Sequence, residues 1–97
     1  MNTKEHLLIC LSEECAEIQH AVSKALRFGT EDWNPKTDAT NAQDIAREYV
    51  DLVAVIDLCR EHGIIGQPGE SKAMYEAKRE RVKEFMGYAR ETGALNG

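Results

Sequence analysis

The chain has 97 residues, of which 12 are basic and 17 acidic, so its formal net charge is −5 at pH 7. This length is typical of one domain, and we expect a single domain over 1–97. The acidic balance argues against binding a nucleic-acid polymer, because its phosphate backbone is bound by basic surfaces. No stretch approaches the roughly 20 apolar residues of a membrane helix, so we expect no membrane partner.

The cysteines, Cys10, Cys15 and Cys59, lie in apolar helical stretches and form no Cys-x-x-Cys motif. Their odd number and their placement are typical of reduced core thiols rather than of a disulfide framework or a zinc site. The first residues also lack the apolar run of a secretory signal. We therefore expect a cytoplasmic protein.

The first predicted element is a helix from about Thr3 to Phe28. Asn2 and Glu5 predict its N-terminal cap, and Gly29 predicts its end. Apolar residues recur along it at helical spacing, which predicts one buried stripe. This stripe consists of Leu7, Leu11, Cys15, Ile18, Val22 and Ala25.

The next stretch, over 30–39, is polar, has no periodicity and contains Pro35, which predicts a loop with at most one short turn. The only tryptophan of the chain, Trp33, lies in this loop. Its simplest interpretation is a lid residue that packs on the helices.

The second predicted helix covers about 41–62. Either Thr40 with Gln43 or Asn41 with Asp44 can cap its N-terminus. The second half of this helix is apolar nearly all round, so we expect it to be buried on more than one side. In a domain this small, such burial implies a subunit interface.

A turn over 63–69 leads into a third helix, from about Ser71 to Glu91. The helix carries a weaker apolar stripe of Met74, Val82, Phe85, Met86 and Ala89. Its charged residues are mostly basic: Lys72, Lys78, Arg79, Arg81, Lys83 and Arg90. We therefore predict an all-α fold, a helical bundle of two long antiparallel helices plus a third amphipathic helix, completed by homo-oligomerisation.

Two pairs of acids lie among apolar residues of the first two helices. Glu14 and Glu17 are three residues apart, as are Glu48 and Asp51, so each pair shares one helix face. Crowded carboxylates repel one another and are costly to bury. A hard cation such as Mg²⁺ relieves both problems, because carboxylate oxygens are ligands that it prefers. A Mg²⁺ site with free coordination positions can in turn hold a polyphosphate.

The pattern Glu13-Glu14-x-x-Glu17 followed by Glu48-x-x-Asp51 resembles the signature of the all-α nucleotide pyrophosphohydrolases. This MazG-like superfamily includes dimeric dUTPases, dCTP pyrophosphatases and phosphoribosyl-ATP pyrophosphohydrolase. The resemblance covers roughly residues 5–60. The interval between the two motifs is somewhat long for the family, and the additional length is the loop that contains Trp33.

The resemblance implies an enzyme that hydrolyses a nucleoside or deoxynucleoside triphosphate to the monophosphate and pyrophosphate. It implies Mg²⁺ as the cofactor, with Mn²⁺ as an alternative, and a homodimer or homotetramer. The implied metal ligands are Glu14, Glu17, Glu48 and Asp51, and Glu13 would support them or orient the water. Further candidates for nucleotide contacts are Lys24, Arg27, Lys78, Arg79 and Arg81 at the phosphates and Trp33 by stacking on the base.

Two other hypotheses remain. Glu17 and His20 form an E-x-x-H element, which di-iron carboxylate bundles use in pairs, but the second helix has Asp51 where a histidine is needed. We therefore expect His20 to be a helix-surface or substrate-side residue. The other hypothesis is a non-catalytic helical oligomeric interaction module. Metal choice separates the three: Mg²⁺-dependent pyrophosphate release, iron uptake, or neither.

Overall fold

The computed structural model describes residues 1–67, 69 and 71–97. The elements, in chain order, are α1 (Thr3–Phe28), β1 (Trp33–Asn34), β2 (Ala39–Thr40), α2 (Asn41–Glu61) and α3 (Ser71–Glu91). The chain forms two compact units, Met1–Gly66 and Gln67–Gly97. The all-α prediction is confirmed, with one small strand pair in addition. The predicted turn over 63–69 includes Pro68, which lies outside the described residues.

Helix α1 begins and ends as the sequence predicts. The Asn2 side chain accepts a hydrogen bond from the backbone N–H of Glu5 at 2.8 Å and donates one to the Glu5 carboxylate at 3.0 Å. Gly29, at the other end, has a φ of +97°, which residues with a Cβ rarely adopt. Its N–H donates to the carbonyl of Ala25. The glycine therefore stops the helix while still satisfying one of its last carbonyl groups.

Helix α2 begins with a capping box, which decides between the two caps that the sequence allowed. The Thr40 hydroxyl accepts from the Gln43 N–H at 3.1 Å, and the Gln43 side chain accepts from the Thr40 N–H at 2.9 Å. At the other end, the ring of His62 donates through Nδ1 to the carbonyl of Leu58 at 2.9 Å. Local polar chemistry thus sets both ends of α2.

Helices α1 and α2 pack against each other and run antiparallel. Near one end of the pair, the Asn41 side chain donates to the Gly29 carbonyl at 2.8 Å. Near the other end, the thiol of Cys59 lies 3.9 Å from the carbonyl oxygen of Leu7. The start of α2 therefore lies beside the end of α1, and these two contacts fix the register of the pair.

The packed face of α1 differs from the predicted stripe at two positions. Cys15 and Val22 are exposed, whereas Glu14 is half-buried and Ala21 is buried. At both positions the more buried residue is the one that precedes the predicted residue in the chain. The prediction of core thiols is likewise right for Cys59, which is fully buried, and wrong for Cys15.

Few apolar residues are buried in the described part of the chain, and all of them are small: Ala21, Ala25, Ala39 and Cys59. Several large ones are exposed on α2 and α3, namely Tyr49, Val50, Leu58, Met74, Tyr75, Val82, Phe85, Met86 and Tyr88. Such exposed apolar surface fits assembly with further copies, which stays a prediction. None of the helices in the described ranges has the length and apolar character needed to cross a membrane.

The stretch over 30–39, predicted as a loop, contains a two-stranded antiparallel hairpin. Asn34 of β1 lies opposite Ala39 of β2. The Asn34 side chain accepts from the N–H of Lys36 at 3.0 Å, and its carbonyl accepts from the N–H of Asp38 at 2.8 Å. Asp38 has a φ of +56°, which aspartate tolerates better than most residues. These short-range bonds close the turn. The hydrophobic periodicity of the sequence does not reveal them, so it could not predict the hairpin.

The residues that lead into the hairpin are hydrogen-bonded to the start of α2. The N–H of Asn41 donates to the carbonyl of Asp32 at 3.0 Å, and the N–H of Ala42 donates to the carbonyl of Thr30 at 2.9 Å. These are orphan N–H groups at the start of α2, so the hairpin also completes the helix cap. The hairpin is therefore held beside the C-terminal end of α1.

Candidate functional site

Three of the four predicted metal ligands come together where α1 and α2 face each other. Glu14 and Glu17 lie one turn apart on α1, and Glu48 approaches them from α2. One carboxylate oxygen from each lies within 4.8 Å of the other two. The fourth predicted ligand, Asp51, is exposed and is not part of this group, although it lies close enough for its charge to act on Glu14 and Glu48.

Two oxygens of this cluster are buried without a hydrogen-bond partner. They are Oε2 of Glu14 and Oε2 of Glu48. Most buried polar atoms in proteins are hydrogen-bonded, and leaving one unpaired is unfavourable. A donor set made only of carboxylate oxygens, two of them unpaired, fits a hard divalent cation well.

Two acids of this cluster have pKa values above the ordinary value of a glutamate. Burial raises the pKa of Glu14 above its ordinary value, and the charges of Glu17, Asp51 and Glu13 raise it further. Burial also raises the pKa of Glu48, as do contact with the Glu17 carboxyl and the charges of Glu17, Asp51 and Glu14. The cluster therefore favours a bound proton or a bound cation over the bare anions.

Glu17 and Glu48 line a cavity of about 110 Å³. The remaining lining residues are His20, Ala21, Lys24, Asn34, Thr37, Asn41, Asp44 and Arg47. Lys24 was predicted to approach a phosphate, and it lies at this cavity. His20 was expected either on the helix surface or on the substrate side, and it also lies here. The cavity thus combines carboxylates with cationic and amide side chains.

Part of this cavity wall was missed in the sequence. Asn41 and Asp44 could have been found, because the intervals from 41 to 44, 48 and 51 alternate between three and four residues, which places all four on one face of α2. Arg47 lies three residues after Asp44, a spacing at which the two side chains of a helix can pair, so it could have been found once Asp44 was placed at the site. Asn34 and Thr37 could not have been found from periodicity, since the hairpin brings them to the site.

A second cavity, of about 190 Å³, adjoins the first. It shares Lys24, Asn34 and Asn41 with the first cavity, and its other lining residues are Phe28, Asp32, Trp33, Pro35 and Lys36. Trp33 is 53% exposed, so packing on the helices uses only part of its ring. The two roles considered for Trp33, packing and stacking, are both compatible with this position.

The other predicted nucleotide contacts lie elsewhere or stay untested. Arg27 is exposed, lines neither cavity and places its guanidinium 5.5 Å from the centre of the Phe28 ring. Lys78 and Arg81 are exposed residues of α3, which belongs to the unit Gln67–Gly97, and their contact with phosphate stays a prediction. Glu13 is exposed and lines neither cavity, although its charge acts on Glu14, and its role toward water also stays a prediction.

Comparisons with protein-family models, with curated proteins and with solved structures give no match for this chain.

Proposed function

We propose that this protein is a Mg²⁺-dependent nucleotide pyrophosphohydrolase of the MazG-like kind. Its reaction would be the hydrolysis of a nucleoside or deoxynucleoside triphosphate to the monophosphate and pyrophosphate. The observation that carries this proposal is the convergence of Glu14, Glu17 and Glu48, two of them with a buried unpaired oxygen, beside a cavity with cationic side chains. The E-E-x-x-E and E-x-x-D motifs supply these same residues.

The carboxylates of Glu14, Glu17 and Glu48 would hold the cation. The carboxylate of Asp51 is close enough for its negative charge to add to the attraction of the cation. When bound there, Mg²⁺ would supply positive charge that offsets the charge of the phosphates and stabilises the charge developing on the leaving group. Mn²⁺ is the natural alternative, since it also suits carboxylate oxygens.

The remaining steps fall to the side chains of the chain itself. The Lys24 ammonium lines both cavities and can hold a phosphate oxygen in the shared region. Glu13 is exposed beside Glu14, so its carboxylate can orient the attacking water and accept its proton. Water would then add to the α-phosphorus as the bond from this phosphorus to the oxygen shared with the β-phosphate breaks. Pyrophosphate leaves, the monophosphate remains, and the proton passes from the water to the base.

We also propose that the enzyme works as a homodimer or homotetramer. The large exposed apolar side chains of α2 and α3 support assembly, because a single chain leaves them in water. The free cysteines fit a reducing compartment such as the cytoplasm.

The two alternatives receive less support from the site. His20 does line the cavity, but α2 offers Asp51 at the position where a di-iron bundle needs its second histidine. A non-catalytic interaction module has no need for unpaired carboxylate oxygens such as those of Glu14 and Glu48.

The test is a panel of nucleoside and deoxynucleoside triphosphates with Mg²⁺ or Mn²⁺, analysed for monophosphate and pyrophosphate. We expect release of both products in equal amounts, and loss of the activity in Glu48→Gln. The matched control is Glu61→Gln, which removes the same charge from an exposed position of the same helix. Absence of products with every nucleotide and both cations would overturn the proposal, and iron uptake would favour the di-metal bundle instead.

A further inference from the structure

We infer that Arg47 binds the polyphosphate of the substrate and that the buried carboxylate of Asp44 holds Arg47 in position. This inference rests on the proposed function, but it concerns residues outside the two acidic motifs. Asp44 is only 7% exposed, and among the acids in the described ranges it is the only one that is buried.

Both oxygens of Asp44 are engaged. The Thr37 hydroxyl donates to Oδ2 at 3.0 Å, and the Arg47 guanidinium donates to Oδ1 through Nη2. A carboxylate so buried and so fully paired is held in one place, because moving it would leave a charge unpaired away from water. Asp44 thus contrasts with Glu14 and Glu48, whose buried oxygens have no partner.

Asp44 leaves most of the Arg47 guanidinium available. Arginine has five N–H donors, and the bond to Asp44 uses Nη2 alone. The Arg47 side chain is 49% exposed and lines the cavity next to Glu48. A planar group of fixed orientation with free donors is suited to phosphate oxygens, which arginine binds in pairs.

The charges around the cavity indicate why a polyphosphate bound there would need a positively charged side chain in addition to the metal ion. A triphosphate carries more negative charge than one divalent cation neutralises, and Glu17 and Glu48 add further negative charge to the same wall. Lys24 and Arg47 are the lysine and arginine residues that line this cavity. Removing Arg47 should therefore weaken polyphosphate binding without removing any carboxylate of the metal cluster.

A plain structural explanation for the Asp44–Arg47 pair can be tested on the same helix. Asp57 and Arg60 form a second ion pair with the same spacing, at 3.5 Å, and line none of the cavities described above. If ion pairs of this spacing only stabilise α2, then removing either arginine should have the same effect. Arg60→Gln is therefore the matched control for Arg47→Gln.

The experiment measures binding of inorganic pyrophosphate by calorimetry, with Mg²⁺ present, together with KM and kcat for the best nucleotide of the panel. We expect Arg47→Gln to raise the Kd of pyrophosphate about 10- to 100-fold, the range for a lost hydrogen bond between charged groups. KM should rise more than kcat falls, and the increase in melting temperature caused by Mg²⁺ alone should stay as in the wild type. Arg47→Lys should recover part of the affinity, and Arg60→Gln should bind as the wild type does.

Asp44→Asn tests the positioning role. It keeps the size of the side chain but removes the charge that holds the guanidinium, so we expect a smaller loss of pyrophosphate affinity than in Arg47→Gln. Because the two residues act as one unit, the double variant should bind no more weakly than Arg47→Gln alone.

The outcomes separate this inference from the proposed function. Wild-type protein that binds pyrophosphate, together with Arg47→Gln that binds it equally well, would overturn the inference and leave the proposed function in place. Equal losses in Arg47→Gln and Arg60→Gln would also overturn it, since general loss of charge would then explain both. Wild-type protein that neither binds pyrophosphate nor hydrolyses any nucleotide would overturn the proposed function, and the inference with it.

Discussion

Replacing Glu48 by glutamine should stabilise the metal-free protein while abolishing its response to Mg²⁺. The substitution keeps the size of the side chain and removes one of the crowded negative charges. Burial and neighbouring charges already raise the pKa of Glu48, which shows that its ionised form is disfavoured in the folded state. The same residue should nevertheless be essential to activity if it holds the cation.

The size of the effect follows from the geometry of the cluster. The carboxylate oxygens of Glu17 and Glu48 approach within 4.8 Å. Two unit charges at such a distance repel by about 1 kcal/mol when water screens them fully. Glu48 is only half-buried, so water reaches the pair and keeps the repulsion near this value. A stabilisation of about 1 kcal/mol corresponds to an increase in melting temperature of roughly 4–8 °C for a domain of about this size.

The assay is thermal unfolding followed by circular dichroism near neutral pH, first in EDTA and then with increasing Mg²⁺. Protein concentration must be held constant, because any assembly makes the melting temperature depend on it. Wild-type protein should be stabilised by Mg²⁺, whereas Glu48→Gln should start higher in EDTA and gain little. Glu61→Gln serves as the control and should keep the wild-type response to Mg²⁺.

One result would refute this reasoning. If Glu48→Gln melted below the wild type in EDTA and still showed the full increase with Mg²⁺, the carboxylates would neither repel nor share a cation. The unpaired oxygens of Glu14 and Glu48 would then need another explanation.

Three further predictions use other parts of the structure. The metal-free protein should become more stable as pH falls from the raised pKa values of Glu14 and Glu48 toward the ordinary value of a glutamate. In this interval the folded state binds more protons than the unfolded state. Melting curves in EDTA across this pH range test the prediction, and a melting temperature that stays constant or falls as pH falls would contradict it. Thr37→Val should destabilise the protein by roughly 1–3 kcal/mol, since it leaves a buried oxygen of Asp44 without its donor. Chemical denaturation measures the loss. A denaturation curve with unchanged midpoint and slope would show that this hydrogen bond does not contribute to stability. If the indole of Trp33 stacks on a base, an interaction typically of about 1–3 kcal/mol, Trp33→Ala should raise KM or change the base preference with little change in melting temperature. A lower melting temperature with unchanged base preference would show instead that Trp33 packs on the helices.

The ends of the helices could be predicted from the sequence because they depend on local chemistry. Asn2, Thr40 and Gln43 make their cap bonds to residues within one turn, and Gly29 stops α1 through its own backbone. Such interactions need no knowledge of the rest of the fold.

The packed face of α1 was harder to predict because it depends on what α2 brings to it. The apolar pattern favoured Cys15 and Val22, but in the folded chain both are exposed and Ala21 is buried. Glu14 could be placed on this face only by considering the acids of α2, since an isolated glutamate is normally expected in water. The acidic motifs thus predicted the centre of the site better than hydrophobicity predicted its surroundings.

The cavity wall beyond the carboxylates depends on the hairpin, and this part was not predicted. Asn34 and Thr37 reach the site through a turn closed by bonds between near neighbours and by the positive φ of Asp38. A polar stretch without periodicity gives no measure of how such a turn folds back. Residues that function through a loop are therefore the ones that a helical pattern omits.

The order of groups along the two helices supports the proposed nucleotide substrate over a simple phosphate. On α1, Lys24 follows Glu17 by two turns, and on α2, Asn41 precedes Glu48 by two turns. Because the helices are antiparallel, both steps lead in one direction, from the carboxylates toward the hairpin and Trp33. The two cavities meet along this path and share Lys24, Asn34 and Asn41. A phosphate alone would use only the first part of the path, whereas a ligand with a metal-binding anionic end and a flat aromatic end would use all of it.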